Sequence, residues 1–594
     1  MKFLSTSLLL LFSISISFAQ SDKKMLTYYE KSNFLETPKY DETIEYCKKL
    51  SLESNLIKYT TYGKSPQGRD LPLLIVCKDG DFDLKSIRKK GKVVLLIQAC
   101  IHAGEPDGKD AGLMLIRDIV ITKTQSALLD NVCILFIPIV NVDGHERYGK
   151  YTRINQNGPV ECGWRTTAQN YNMNRDFMKA DAPETQAWLQ LYNEWLPDFF
   201  VDCHVTDGAD YQYAITYAME VYGNMAPEIT KWTNENYINK VEKLMKSGNF
   251  PITPYVQFRN WHDPRSGLIS WVAPPMLSQG YAAIQNRPGL LIESHMLKDY
   301  KTRVTATYEM LKNTLIILNS ESKNLLGIIK NADDYTASSA FRKTKYPIQF
   351  EPTSDSTIID FLGFEYEGIK SDLTGGTWFK YSHKPINYKI PFFNKQKILS
   401  TVDIPEAYII PPEWIEVISK LKIHGIDYTV LETGDSIFIN SKKFRNAKFR
   451  DKPYEGRQII STESNDIFEK RYFPAGSVLI KTNQRNAGLI AHLFESTGPD
   501  SFLHWGFFNT IFQQKEYAES YVMEGMARNM MEKDPSLKTE FELKMAMDTT
   551  FAKDSEEILN WFYSKTPYWD SKFNIYPVGR ILDAKEIDKL KLIK

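Results

Sequence analysis

The 594-residue chain predicts an α/β protein, with a mixed, mostly parallel central sheet flanked by helices and then a second, mixed α/β domain. Three observations predict it. Short apolar, β-branched runs alternate with segments of helical periodicity through the first half, the pattern of a sheet wrapped by helices. The chain is too long for one ordinary core, so two domains are the default. Near residue 325 its character changes: cysteine disappears, and strand-like runs broken by Gly, Pro and Asp take over. The expected first domain spans residues 20–324 and the accessory domain 325–594.

Residues 1–19 stand outside this fold. Met1-Lys2 gives a short positive start, residues 8–16 an apolar core, and Ser17-Phe18-Ala19 a small-x-small cleavage site before Gln20. That is the pattern of a secretory signal peptide. Its apolar part is too short to span a bilayer, and no later stretch reaches about 18 uninterrupted apolar residues. No cysteine follows the cleavage site to carry a lipid. The expectation is an exported protein, periplasmic or secreted, that does not span a membrane. A formal net charge of zero argues against nucleic acid or an anionic membrane as the main partner.

The elements follow in order. Thr37-Pro38 opens a helix-like segment that runs to about residue 52. Strand-like runs at 56–62 and 71–77 are joined by Gly63-Lys-Ser-Pro-Gln-Gly-Arg69, a turn that suits a hairpin. Residues 93–97 form a buried strand, 109–121 a helix, and 132–140 a second buried strand closed by Asn141-Val-Asp-Gly144. A loop rich in Gly and Asn then runs over 144–171, a length that is usually functional in a compact domain. A helix over 183–196, with Asp181 as its N-cap, precedes a short strand at 199–203. A strand at 211–217, a helix at 226–246, a strand at 289–292 and a helix at 302–319 complete the domain.

In the second half, residues 348–388 are a set of short strand-like runs. Pro411-Pro412-Glu413 starts a helix over 414–423 with Gly425 as its stop. Residues 477–480 and 488–495 are a strand then a helix, and 505–531 is mostly helical and rich in aromatics. This half holds no catalytic constellation; His492 and His504 are core or surface residues, and there are no internal repeats.

All six cysteines lie in roughly the first third of the chain. Cys77, Cys100, Cys133 and Cys203 sit in or at the ends of apolar runs, as buried free thiols do. Cys162 falls in a loop, and disulfide connectivity is open.

The chemistry gathers at strand ends. His102 and Glu105, in H-x-x-E spacing, follow the strand at 93–97 on a segment broken by Gly104, Pro106 and Gly108. H-x-x-E alone is a weak signal in a chain with nine histidines, where a loop histidine beside a solvated glutamate is the bland alternative. But His204 stands at the end of the strand at 199–203, and Glu293 at the end of that at 289–292. In open α/β sheets, sites collect at the carboxyl ends of the strands. Nitrogen and oxygen ligands together suit zinc, and three protein ligands with one position left for water mark a catalytic ion.

Together these residues resemble the zinc carboxypeptidase (carboxypeptidase A-like) family. The resemblance covers about residues 59–304 and rests on Gly63-Lys-Ser-Pro-Gln-Gly-Arg69, His102-x-x-Glu105, Asn141-Val-Asp-Gly144, Gly163-Trp-Arg165, Asn172-Met-Asn-Arg175, His204 and Leu291-Ile-Glu293, in the family's order. It implies one Zn2+ per chain, held by His102, Glu105 and His204. It also implies Glu293 as general base, Arg165 as the cation that polarises the scissile carbonyl, and Asn174 with Arg175 as the grip on a substrate's free C-terminal carboxylate. A planar guanidinium meets a carboxylate bidentately. The second half resembles an extra domain of some exported bacterial members.

Three departures stand out. Family members often place an aspartate two positions before the clamp asparagine to orient a zinc histidine; this chain has Asn172, a weaker orienter. The mobile tyrosine that caps many family sites has Tyr281 as its best candidate. Residues 206–211 and 261–265 follow an unfamiliar pattern and are expected to line the specificity pocket, while Arg287 and His295 flank the base's strand as substrate contacts or structural groups.

The sequence therefore predicts an exported zinc metallopeptidase that removes C-terminal residues from peptides. A peptidoglycan-stem or γ-glutamyl amidase on the same scaffold is the alternative within the hydrolases. A zinc- or peptide-binding protein without turnover is the alternative outside them, and it leaves Glu293 and Arg165 without a chemical role. Side-chain preference and oligomeric state are open.

Overall fold

The computed structural model describes residues 25–206 and 208–593. The expected signal peptide lies outside the described residues. Among them, no helix is long and apolar enough to cross a membrane.

Helix α1 (Tyr40–Glu53) leads into the expected hairpin of β1 (Ile57–Lys64) and β2 (Asp70–Val76). Then follow α2 (Leu84–Lys89), β3 (Val93–Ala99), α3 (Asp107–Val120), β4 (Val132–Ile137), α4 (Pro183–Trp195), β5 (Phe199–Thr206) and β6 (Ile215–Ala218). After α5 (Asn239–Ser247) come β7 (Ile252–Pro254), β8 (Leu268–Ile269), α6 (Ser278–Ala283), β9 (Gly289–His295) and α7 (Tyr300–Ala337). Eight of these strands form one sheet in the order β1-β2-β4-β3-β5-β9-β6-β7. The inner run β4-β3-β5-β9 is parallel, and antiparallel pairs flank it, so the sheet is mixed.

Every residue of β3 and β4 is buried, as near-continuous apolar runs must be when both faces are covered. Alternate residues of β3 feed different cores. Val93, Leu95 and Ile97 pack with α3 and α7, through side chains such as Leu115, Met310 and Leu318. Val94 and Leu96 join a second core with Trp188, Leu189 and Tyr192 of α4. That second core continues into the other half of the chain, through Tyr408, Ile480 and Leu493.

The second half begins with β10 (Lys345–Pro352), β11 (Thr357–Lys370), β12 (Thr377–Phe393) and β13 (Gln396–Asp403). A seven-stranded sheet follows, built from β14 (Ala407–Ile410), β15 (Thr429–Leu431), β16 (Asp435–Phe449), β17 (Ile460–Phe473), β18 (Val478–Lys481), β19 (Gly579–Ile581) and β20 (Leu592–Ile593) in the order β17-β16-β19-β14-β18-β15-β20. All its pairs are antiparallel. Helix α8 (Ile415–Ile423) and helix α9 (Ala487–Phe494) contribute to the shared core, while α10 (Ser520–Lys533), α11 (Pro535–Met547) and α12 (Ser555–Tyr563) make a small cluster of their own.

Several boundaries differ from those read in the sequence. The last helix of the first half runs to Ala337 and not to 319, because Leu325, Ile329 and Ala332 keep a helical stripe on the core beyond the polar residues 319–324. Residues 348–388 hold two long hairpin strands in place of several short runs; Gly363 and Gly368 lie within β11 without ending it. Regular helix in the aromatic segment starts only at Ser520. The N-cap of α4 is Ala182; Asp181 instead takes a bidentate ion pair from Arg457 of the second half, at 2.8 and 2.6 Å. All six cysteines are buried and free.

Candidate active site

β3, β5 and β9 lie side by side and parallel, so their carboxyl ends deliver His102 with Glu105, His204 and Glu293 to one edge of the sheet. β5 continues to Thr206 and β9 to His295, so His204 and Glu293 stand inside their strands and are register partners. Gly108 makes the approach of α3 possible. A Cβ there would lie 2.2 Å from Cβ of Cys203, and without one the segment carrying Glu105 closes onto β5.

His102, Glu105 and His204 are all buried, and their ligand atoms lie within 4.8 Å of one another. Nδ1 of His102 is 3.2 Å from Glu105 Oε1 and 3.2 Å from Nδ1 of His204, which is 3.0 Å from Glu105 Oε2. On the outer sides, His102 Nε2 faces Oδ1 of Asn172 at 3.0 Å, and His204 Nε2 faces Oδ2 of Asp202 at 2.9 Å. Asn172 Oδ1 also accepts the Asn174 backbone N–H at 3.2 Å, which fixes it as an acceptor. Both imidazoles therefore donate outward from Nε2 and turn Nδ1 toward one shared point. Two imidazole nitrogens and a carboxylate converging in a buried pocket fit a zinc ion.

The electrostatics agree. Burial pushes the His102 imidazole down to about 4. Burial opposes protonation of His204 as well, but Asp202 and Glu105 outweigh it and hold this imidazole well above its ordinary range. A proton and a cation compete for the same nitrogen.

Glu105 is held from outside by Arg153, at 2.9 Å from Oε1, and by the Val205 backbone N–H, at 3.0 Å from Oε2. Sequence reasoning missed both Arg153 and Asp202. Arg153 lies in the long loop without a pattern to mark it, whereas Asp202 is visible as an acid two positions before His204 in an otherwise apolar strand.

Glu293 is 8% exposed, and its Oε2 has no hydrogen-bond partner. Burial raises its carboxyl to about 8; His204 and Arg165 pull it down, while Glu105 and Asp202 push it further up. Arg165 reaches Glu105 Oε1 at 3.5 Å and stays partly open to solvent. Asn174 points Nδ2 toward His204 at 3.4 Å and accepts the Ser278 N–H at 3.0 Å. Arg175 donates to the Asn174 carbonyl at 2.7 Å and has no carboxylate partner among the described residues. Neighbouring Asp176 is engaged by Lys179 and by the N–H groups of Asp181 and Ala182.

These groups line a cleft of about 190 Å³ that holds seven of the eight site residues singled out in the sequence: His102, Glu105, Arg165, Asn174, Arg175, His204 and Glu293. Tyr281 is the exception. It is fully buried, and its hydroxyl lies 3.0 Å from Nδ1 of His424 at the junction of the two halves. The tyrosine that does line the cleft is Tyr255, packed edge-on against Trp271 at 5.6 Å. Arg287 is structural, paired with Asp333 at 3.0 and 2.8 Å, and His295 stacks on Tyr211 at 4.0 Å. A larger cavity of about 460 Å³ adjoins the cleft and shares Ala218, Tyr255, Trp271 and Gln279 with it. The turn over residues 63–69 and the Asn141-Val-Asp-Gly144 segment prove to be one unit: Ser65 and Arg69 each meet Asp143 Oδ1 at 2.8 Å.

Comparison with known sequences points the same way. Residues 43–273 match the model of the zinc carboxypeptidase family. Carboxypeptidase 2 of Trichophyton rubrum is 20% identical over 493 residues, covering 79% of this chain and 84% of that one. Carboxypeptidase 2 of Trichophyton equinum is 21% identical over 495 residues, with the same coverage. Among solved structures, the carboxypeptidase A from Helicoverpa armigera aligns with a TM-score of 0.38 and 17% identity, covering 52% of this chain and 81% of that one. Together the sequence matches support a zinc carboxypeptidase domain over residues 43–273, and with it a zinc metallocarboxypeptidase, a hydrolase of a zinc-dependent family.

Proposed function

We propose that this enzyme is exported and releases C-terminal residues from peptides, with one zinc ion per chain held by His102, Glu105 and His204. Zinc bound there would supply a Lewis acid and would lower the pKa of a water beside it to about 7. Glu293 takes the proton of the attacking water and passes it to the leaving amine. Its burial beside His204 keeps the carboxyl within range of neutral pH for both transfers. Arg165 stands over Glu105 where charge develops on the scissile carbonyl oxygen, a role worth about 3 kcal/mol of transition-state stabilisation. Arg175, with Asn174 beside it, receives the terminal carboxylate.

The observation that carries this reading is Glu293 itself, a buried carboxylate whose Oε2 has no partner, in register with a ligand histidine. The test is digestion of matched peptides with free and amidated C-termini, read by mass spectrometry. Stepwise loss of C-terminal residues from the free series alone supports the proposal. Equal cleavage of both series, or internal cleavage, contradicts it.

A further inference from the structure

The lining of the cleft reaches Thr206 and Met296. Two residues beyond the one, Gly208 lines a separate open basin of about 340 Å³, and so does Leu297, next after the other. Thr206 and Gly208 are at most about 7 Å apart along the chain. The far wall of the basin belongs to the second half. Trp378 and Phe379, near the turn of the β11–β12 hairpin, line the basin together with Ala209 and His262.

This wall is anchored on the very segments that shape the cleft. β12 pairs with β8 through Phe392 and Leu268, and Gly363 of β11 bridges to Tyr211. The Tyr381 hydroxyl donates to the His262 carbonyl at 2.6 Å, and Tyr366 bonds to Asp263. Phe361 and Tyr388 share an apolar core with Tyr211 and Phe258. Yet Trp378 is 58% and Leu297 44% exposed, so large apolar surface is left open in this basin. Among the described residues that line the basin, Asp210 pairs with Lys298 at 3.2 Å, and His262 Nδ1 bonds to the Gly208 carbonyl at 2.7 Å.

We infer that this basin binds the substrate upstream of the scissile bond, seating an aromatic or large aliphatic side chain two or three residues before the released one against Trp378 and Leu297. The inference rests on the proposed function. With the terminal carboxylate held at Arg175, no substrate lies beyond the clamp, so whatever leaves the cleft past Thr206 and Met296 is its N-terminal side. An extended peptide advances about 3.3 Å per residue, so two residues span the gap. The accessory half thereby supplies part of the specificity of the site.

The test uses two N-blocked substrates sharing their last two residues: the dipeptide, and a tetrapeptide with Phe two residues before the released one. In wild type the tetrapeptide is expected to have the higher kcat/KM by about tenfold. Trp378→Ala should bring that ratio close to one, and Trp378→Phe should restore most of it, whereas damage to the fold would lower both substrates together. A wild-type ratio near one, or a ratio that Trp378→Ala leaves intact, overturns the inference. If wild type cleaves neither peptide, the carboxypeptidase reading fails instead. Tetrapeptide binding to zinc-loaded Glu293→Gln, with and without Trp378→Ala, then decides the basin: weaker binding in the double variant supports it, and equal binding overturns it.

Discussion

Oδ2 of Asp202 lies 2.9 Å from Nε2 of His204, both side chains buried on the same strand. The residue at the orienting position for His102 is an amide, Asn172. The carboxylate orienter of this site thus serves the second histidine, two positions along β5. A carboxylate behind a ligand imidazole fixes its tautomer and raises its basicity. Asp202→Asn should therefore weaken zinc binding by about 10- to 100-fold, measured by competition with a chelator of known affinity. Unchanged affinity would show that Asp202 is only a buried acid.

Arg175 sits in the cleft without a carboxylate partner among the described residues. A cation left unpaired there awaits an anion. Arg175→Gln should lower kcat/KM on peptides with a free C-terminus by about 100-fold, from the loss of a charge-assisted pair of about 3 kcal/mol. Its preference for free over amidated termini should shrink by a similar factor. A variant that keeps the preference would remove Arg175 from substrate binding.

Glu184, in the first turn of α4, is fully buried, and neither carboxylate oxygen has a hydrogen-bond partner. Burial raises its carboxyl from 4.5 to about 7. Below about pH 4.5 the group is protonated folded and unfolded, and it adds no pH-dependent term. Between pH 4.5 and 7 only the unfolded chain ionises, so stability falls; above 7 the loss is constant, at up to about 3 kcal/mol. Glu184→Gln should raise the melting temperature relative to wild type more at pH 8 than at pH 5. An equal difference at both pH values would contradict this account.

Arg457 joins the halves, pairing bidentately with Asp181, reaching Glu416 at 2.6 Å and lying 3.7 Å over the Phe507 ring. Arg457→Ala removes this partner from a nearly buried Asp181, at a cost of about 2 kcal/mol. Lys179 and Lys420 stay near that carboxylate and soften the loss. Thermal unfolding should shift downward by several degrees, as a single transition because the second apolar core spans both halves.

Where one rule decided the outcome, the sequence was readable. Apolar runs such as 93–97 became buried strands, and their ends brought His102, His204 and Glu293 together because parallel neighbours share an edge. What could not be read depended on distant partners. Asp181 reads as a helix cap until Arg457 is seen to claim it, and Tyr281 as an active-site tyrosine until His424 covers its hydroxyl. The β11–β12 hairpin reads as broken strands because its support, β8 and Tyr211, lies in the other half of the chain. Arg153 sits in a loop whose path no periodicity records, and only the fold places it on Glu105.

The central claim is that His102, Glu105 and His204 hold one zinc ion while Glu293 moves the proton. The most direct measurement is zinc content and peptide turnover on purified wild type and Glu293→Gln in parallel. The account predicts about one zinc per chain in both proteins, with turnover reduced by at least about 1,000-fold in the variant. Zinc lost along with activity in Glu293→Gln would make Glu293 a support of the metal site, and turnover retained in the variant would place the base elsewhere.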